Sequence, residues 1–393
     1  MSKAYAVIGS GFGDEGKGLM TDFLTTGMST SDSVVIRYNG SAQAGHTLQL
    51  ADGRRHVFSH FGSGSFNGIP TYLSEHFVAH PMLFNMERDD LINKNVYPNV
   101  IVHPDCMVTT PFDMMTNQII ESRRGVNRHG SVGVGFGETF DRDDYMKIRV
   151  SDLADLNKLR DKLILVRDRW VPARVQDSQT PLEEQWFAIL NDPSLIERFL
   201  EDCRIFTECT TTQDYSYIEN KEHLVFEGAQ GLMLDQTYGF FPHVTRSNTG
   251  LKNIIEVLQN VNVDRLTPYY ISRSYTTRHG AGPLANETDF PEYIVDNTNH
   301  AHEYQGSLRY APLNLQAITD AISYDITNYA SDLPYEFLEQ MCFTCMDQLS
   351  RKTSVYYTNN ELIEETTESF KQLLMSMAIH ISYGPTREHV DVV

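Results

Sequence analysis

The 393-residue sequence predicts an α/β fold, a mostly parallel, twisted central sheet carrying helical subdomains. Three observations predict it. First, AYAVIGS is a short apolar run that enters a Gly-rich stretch and then GLMTDFLTTG, the pattern of a buried strand, a loop and a helix. Second, the short apolar runs SVVIRYNG, NVIVHP, HLVFEG and PYYISRSY recur between helical patterns, and such alternation favours parallel strands joined through helices. Third, from roughly 110 to 222 the segments IIESRRG, DLNKLRDKLILVRDRW and PLEEQWFAILNDPSLIERFLEDC repeat apolar residues every three or four positions, as amphipathic helices do. LNLQAITDAISYDI shows the same spacing further on.

No internal repeat and no low-complexity linker interrupts the chain, so residues 1–393 are expected to form one domain with a helical excursion. The 41% hydrophobic and 21% charged content is that of a soluble globular protein. No apolar run is long enough for a membrane span, and the N-terminus lacks the pattern of a signal peptide, so a cytoplasmic setting is expected. Five cysteines (Cys106, Cys203, Cys209, Cys342 and Cys345) make no paired framework, and an odd count fits a reducing compartment. Cys342 and Cys345 form a lone C-x-x-C, read as buried in a strand rather than as a zinc site. The formal charge of −20 argues against a nucleic-acid polymer as partner, because such binders need a basic surface. An anionic ligand here must be held by loop amides and a few placed cations, which suits a mononucleotide pocket.

The stretch GSGFGDEGKG is one residue short of a Walker phosphate loop. From Gly11 it reads G-x-x-x-x-G-K, but Gly18 stands where the Walker pattern requires Ser or Thr to hold magnesium. Loop amides and the helix N-terminus would face a phosphate, with Lys17 as a point charge. Asp14 is the nearest hard oxygen for a cation, and a carboxylate beside a phosphate implies a bridging cation or a proton-transfer duty. The alternative is a tight turn in which Asp14 and Glu15 only cap the helix. RYNGSAQAGHTL places Gly45, His46 and Thr47 in a permissive loop, with His46 either a proton donor or a structural histidine. HGSVGVGFGETF, VFEGAQGLMLDQTYGFFPHVTRSNTG, SYTTRHGAGPL and ISYGPTRE are further Gly-rich or hydrogen-bonding stretches, each compatible with plain turn chemistry.

Together and in this order, these segments resemble the adenylosuccinate synthetase family. Its motifs read GDEGKGK, NAGHT, GTTxxGIGP, FEGAQG followed by VTSSNT, TRVGAGP, TKLD and STGP. Here the counterparts are GDEGKGL, QAGHT, GSVGVGFGE, FEGAQG with VTRSNT, TRHGAGP, TCMD and SYGP, spread from residue 7 to 388. The resemblance implies a P-loop-related α/β domain, a homodimer, magnesium, and a ligase that phosphorylates the 6-oxygen of a purine monophosphate and then displaces that phosphate with L-aspartate. By position, Asp14 would be the base at purine N1 and, with the Gly45 carbonyl, a ligand of Mg2+, while His46 would be the acid. The nucleoside triphosphate would be held by Gly13, Glu15, Gly16, Lys17, Gly18, Gly45, His46 and Thr47, with Asp347, Ser382, Gly384 and Pro385 at its base. The purine monophosphate would fall to Asp14, Gln43, Ser131, Val132, Gln230, Thr245 and Ser307, and aspartate to Gly306 and Arg309.

The departures imply a subtype. The family's threonine pair is Ser131-Val132, its NAGHT asparagine is Gln43, and its GATTGRRRR run is HEYQGSLRY, in which Ser307 replaces the arginine near the ribose and Arg309 alone remains. The TKLD lysine is Cys345. The arginine that crosses to the neighbouring subunit would be Arg142 or Lys147. Changes at both the ribose and the donor base fit the bacteriophage branch that joins aspartate to dGMP with ATP or dATP, on the way to 2-aminoadenine DNA. The alternative is an ordinary synthetase using IMP and GTP. A P-loop kinase or GTPase-type switch is opposed by Gly18, QAGHT and FEGAQG, and a silent nucleotide sensor by the presence of both Asp14 and His46.

Overall fold

The computed structural model describes residues 2–124, 131–177, 183–296 and 306–393. The motif residues His129, Gly130, Pro181, Leu182 and His302 to Gln305 lie outside them.

The central sheet has eleven strands among the described residues: β1 (Ser2–Gly9), β2 (Ser33–Arg37), β3 (Thr71–Leu73), β4 (Val100–Val102), β5 (Thr211–Thr212), β6 (His223–Gly231), β7 (Val263–Arg273), β8 (Glu336–Phe337), β9 (Gln340–Thr344), β10 (His380–Ser382) and β11 (Val390–Val392). Their order is β11-β10-β9-β7-β1-β6-β2-β3-β4-β5, with β8 also on β7. Every pair is parallel except β10–β11 at the edge. The expected mostly parallel sheet is thus the observed one.

A parallel strand is buried on both faces, which is why β1 reads as a nearly unbroken apolar run. Ala4, Ala6 and Ile8 point into one core layer against the helix Leu251–Leu258, and Val7 points into the opposite layer with Leu19 and Met20 of the first helix, Lys17–Thr25. The helices expected after residue 110 form between Pro111 and Cys209, around a core that includes Leu159, Leu163, Trp170, Phe199 and Phe206. The segment PLEEQWFAILNDPSLIERFLEDC, expected to be helical, forms two helices, Glu184–Leu190 and Pro193–Cys209. Asp192 separates them: its carboxylate accepts from the Ser194 amide at 2.9 Å, and Pro193 opens the second helix.

β2 follows β1 in the chain but pairs with β6, so β6 is inserted beside β1 while β7 flanks it on the other side. At such a reversal the loops leaving the carboxyl ends of the strands splay apart and leave a crevice. The loops after Gly9, Gly231, Arg273, Thr344 and Ser382 all leave from that end of the sheet.

Candidate functional site

The crevice is a cavity of about 490 Å³. It brings together every residue assigned above to the triphosphate except Ser382: Gly13 to Gly18, Gly45 to Thr47, Asp347, Gly384 and Pro385. Asp14 and His46, the two catalytic candidates, face the same space.

The first loop is built differently from a Walker loop. Glu15 folds its carboxylate back under the loop, where Oε1 accepts from the amides of Gly11 (3.1 Å) and Gly13 (2.7 Å). Lys17 Nζ donates to Glu15 Oε2 at 3.1 Å and to the Gly13 carbonyl at 2.6 Å, and this ion pair is almost fully buried. The amide nest that a Walker loop gives to phosphate is occupied by the chain's own carboxylate. Two glycines make room for it: a Cβ on Gly9 would lie 2.4 Å from Glu15 Oε2, and one on Gly231 would lie 2.3 Å from the Gly11 carbonyl. The capping alternative fails, because no side chain caps the helix at Gly16. Gly18 also has a steric reason. A Cβ there would stand 3.1 Å from both His46 Cβ and Ser63 Oγ, so a Walker hydroxyl has no space.

His46 begins a short strand, His46–Gln49, and is buried. Its Nδ1 lies 2.7 Å from Glu227 Oε1, so a neutral ring donates from Nδ1 and keeps its lone pair on Nε2, which has no protein partner. Burial pushes the imidazole down to about 4, against the pull of Glu227. Burial also opposes the Glu227 charge, but His46, Arg37 and Ser63 hold that carboxyl below its usual range. Ser63 supplies both its amide, at 2.8 Å, and its hydroxyl. The FEGAQG pattern by itself assigns Glu227 no role. The available signal was an acidic residue inside an otherwise apolar parallel strand.

Asp14 is about a quarter exposed, with Oδ2 3.5 Å from His279 Nε2 of the TRHGAGP loop. Its backbone carbonyl accepts from Arg273 Nε. Asp14 and Gly45 offer a carboxylate and a carbonyl on the cavity wall, both hard oxygen donors of the kind Mg2+ takes. Among the described residues, the one other metal-compatible group is Glu75, His103 and Asp105, outside this cavity. There His103 Nδ1 accepts from the Asp105 amide at 3.1 Å, which puts the ring proton on Nε2 and leaves no nitrogen lone pair free for an ion.

Several assignments are corrected. Ser382 is buried and donates to the Gly384 carbonyl at 2.7 Å, so it shapes the SYGP turn instead of lining the cavity. Cys345 is not strand interior: it leaves β9 with φ 59°, half-buried on the cavity wall, while Cys342 is buried in β9. Arg142 cannot reach a neighbouring subunit, because its buried guanidinium is held by Asp113 (2.8 Å) and by the carbonyls of Met146 and Val108 (2.7 Å each). Lys147 is exposed.

Apart from Asp14, the monophosphate and aspartate residues do not line the cavity. Gln230 has φ 64° and packs on Gly13, and Gln43 has both side-chain polar atoms buried without a protein partner. Ser131 donates to Asn117 Oδ1 at 2.8 Å, Val132 is half-buried beside it, and the Thr245 amide donates to the Leu234 carbonyl at 2.8 Å. Gly306 and Ser307 are exposed. Arg309 is clasped by Glu287 (2.8 and 2.5 Å) and by the carbonyls of Gly280 (3.0 Å) and Gly282 (2.9 Å).

Sequence reading also missed Arg273, Tyr275, Tyr293 and Gln348 on the cavity wall. They lie outside the quoted motifs or at their edges, where only the fold gathers them.

A parallel α/β sheet with a Gly-rich strand–loop–helix unit at its topological switch point is the class to which mononucleotide-binding folds belong. Residues 6–322 match the family described as adenylosuccinate synthetase, and the chain belongs to that family. The adenylosuccinate synthetase of Trichormus variabilis is 32% identical over 292 residues, 72% of this chain and 62% of that protein. That of Borrelia duttonii is 27% identical over 340 residues, 83% and 75% of the two chains. The chain thus spans about 62% of the length of the first of these relatives. Among solved structures, fully ligated adenylosuccinate synthetase from Plasmodium falciparum superposes with a TM-score of 0.75 at 17% identity, over 99% of both chains. The succinoaminodeoxyadenylate synthetase of cyanophage S-2L, bound to dGMP and dATP, gives 0.61 at 13% identity, over 100% of this chain and 95% of that one. Both likenesses are of fold. No helix among the described residues is long and apolar enough to cross a membrane.

Proposed function

We propose that the chain is a carbon–nitrogen ligase that joins L-aspartate to the 6-position of a purine nucleoside monophosphate at the expense of a nucleoside triphosphate. The acceptor proposed is dGMP and the donor ATP or dATP, giving succino-2-amino-deoxyadenylate, ADP or dADP, and phosphate. The observation that carries the ligase reading is the convergence of Asp14 and the Glu227-held His46 in one cavity with the glycine loop. The dGMP reading rests on Ser307 and Cys345 at the ribose and donor-base positions. Identity to bacterial synthetases supports the IMP and GTP alternative equally.

In this reading Asp14 takes the purine N1 proton, which makes the 6-oxygen nucleophilic toward the γ-phosphoryl group. The aspartate amine then displaces the 6-phosphoryl group as phosphate. Phosphoryl transfer is mainly positioning and charge neutralisation. Mg2+, held by Asp14 and Gly45, supplies that neutralisation when bound. His46 must carry a proton on Nε2 to stabilise the transferring group, and in the open cavity its ring is neutral. A polyanion next to Nε2 raises the ring's affinity for a proton, so substrate charge arms the acid. Glu227 keeps Nε2 aimed throughout. Arg309 can take an aspartate carboxylate only by exchanging it for Glu287. A homodimer completes the proposal, with Lys147 the remaining candidate to cross the interface.

The test is a product assay. Protein, magnesium and aspartate are incubated with dGMP or IMP, each against ATP, dATP and GTP, and products are read by chromatography and mass. A succino adduct on dGMP driven by ATP or dATP is expected. Turnover of IMP with GTP alone replaces the dGMP reading with the ordinary one, and no adduct in any combination removes the ligase.

A further inference from the structure

The wall between the Asp14 loop and the far end of the cavity is a continuous chain of hydrogen bonds. Arg273, the last residue of β7, donates from Nε to the Asp14 carbonyl and from Nη1 to the Tyr275 hydroxyl at 3.1 Å. Tyr275 donates that hydroxyl's proton to Gln348 Oε1 at 2.7 Å, and Gln348 Nε2 reaches the Val295 carbonyl at 3.3 Å. Asp296 Oδ2 lies 3.6 Å from Arg273 Nη1. All of these residues line the cavity, and Gln348 is next to Asp347.

A second tether runs in parallel. Thr344 Oγ1 donates to the Glu15 carbonyl at 2.8 Å, and Ser274 Oγ donates to the Cys345 carbonyl at 2.8 Å. The two ends of the cavity are therefore joined through side chains at and just beyond the ends of β7 and β9, in addition to the sheet itself. Gln348 has one amide hydrogen beyond the bond to Val295, available to a group entering at that end.

We infer that Arg273 is a positioning residue: it fixes the backbone of the Asp14 loop and, through the Tyr275 hydroxyl and the Gln348 amide, makes that position depend on what occupies the cavity beside Asp347. The inference rests on the ligase reading for its meaning, since there the far end takes the donor's base. A donor of the right base orders Gln348, which orders Tyr275 and Arg273, and the Asp14 carboxylate is then held at its working distance. The chain of bonds is already formed, and a donor base that accepts from the remaining Gln348 N–H locks it in the arrangement described, which serves positioning more than affinity.

The experiment compares wild type with Tyr275→Phe, Gln348→Leu and Arg273→Lys, each in full-length protein. Hydrogen exchange of residues 9–18 is measured with magnesium and ATP, dATP or GTP, alongside calorimetric binding of the same triphosphates. The expected result is protection of the loop in wild type that is lost in Tyr275→Phe and Gln348→Leu at saturating triphosphate. Where the chain turns over, kcat falls about tenfold to a hundredfold in both variants, the KM for triphosphate stays within about twofold in Tyr275→Phe, whose lost hydroxyl serves Arg273 and Gln348, and Arg273→Lys retains part of kcat. Equal protection in wild type and Tyr275→Phe overturns the inference, as does a change confined to KM. Triphosphate-dependent loop protection without any succino product separates the two proposals, since it removes the ligase and keeps the coupling. A wild-type chain that binds no triphosphate overturns both.

Discussion

Glu15 and Gly18 show how a single position can change the use of a loop. Glu15 supplies from within the chain the negative charge that a Walker loop takes from its ligand, and Gly18 leaves the volume that His46 and Ser63 fill. Restoring the Walker residue should therefore do harm. Gly18→Ser forces a hydroxymethyl group against the fixed His46 Cβ, and overpacking of this kind costs about 1–3 kcal/mol. A urea midpoint equal to or above that of wild type would show that the helix can shift to admit it. Glu227 is the buried acid against which His46 and Arg37 are both arranged. Glu227→Gln removes the larger of the two carboxylate contributions, Glu227 and Glu87, that offset the buried Arg37 charge, so stability should fall, by roughly 1–3 kcal/mol, and turnover by about 10²-fold or more. Chemical denaturation and steady-state kinetics separate the two effects, and a variant as active as wild type would mean that Glu227 does not hold the catalytic ring.

Individual elements are closed by residues distant in sequence. The helix Leu251–Leu258 has no cap of its own. Asp325, on the helix Leu315–Tyr329, accepts from the Leu251 amide at 3.0 and 3.2 Å and from the Tyr270 hydroxyl at 2.9 Å. Burial raises the Asp325 carboxyl from 3.8 to about 7, partly offset by these hydrogen bonds. The native state thus holds this proton more tightly than the unfolded chain, so the stability it contributes is full at low pH and is lost as pH rises from 3.8 to about 7. Asp325→Asn keeps an acceptor and removes the titration. Relative to wild type it should gain up to roughly 3 kcal/mol of stability between about pH 5 and pH 8, read from denaturation at several pH values. A difference that does not change with pH would mean that Asp325 is not titrating in that range.

At the scale of the whole molecule, 52 acidic residues face 32 basic ones, and the net charge of −20 opposes compaction. Screening should therefore stabilise the fold. Raising sodium chloride from about 0.01 M to about 0.15 M shortens the Debye length from roughly 30 Å to roughly 8 Å and should raise the Tm. A lower Tm in salt would show that surface ion pairs such as Arg160–Glu197 outweigh the repulsion. With so acidic a chain an anionic ligand depends on local cations, and Lys17, Arg55 and Arg273 line the cavity.

The sequence by itself determined the fold class, because parallel strands buried on both faces must read as short apolar runs and the helices between them must show helical spacing. It also determined much of the loop chemistry of the cavity wall. Gly13 to Gly18, Gly45 to Thr47, Asp347, Gly384 and Pro385 carry local signals in glycine, acid and histidine placement, and the structure gathers them. Only the tertiary structure decided what each side chain faces. Local pattern cannot show that Glu15 turns inward to the loop amides, that Ser382 is spent on its own turn, or that Arg142 is buried against Asp113. Nor can it show that Arg273, Tyr275 and Gln348 join across 75 residues of sequence, since their partners are set by neighbouring strands β7 and β9. Strand pairing is non-local, so a residue's type and spacing state its chemistry while the packing of distant segments determines where that chemistry is applied.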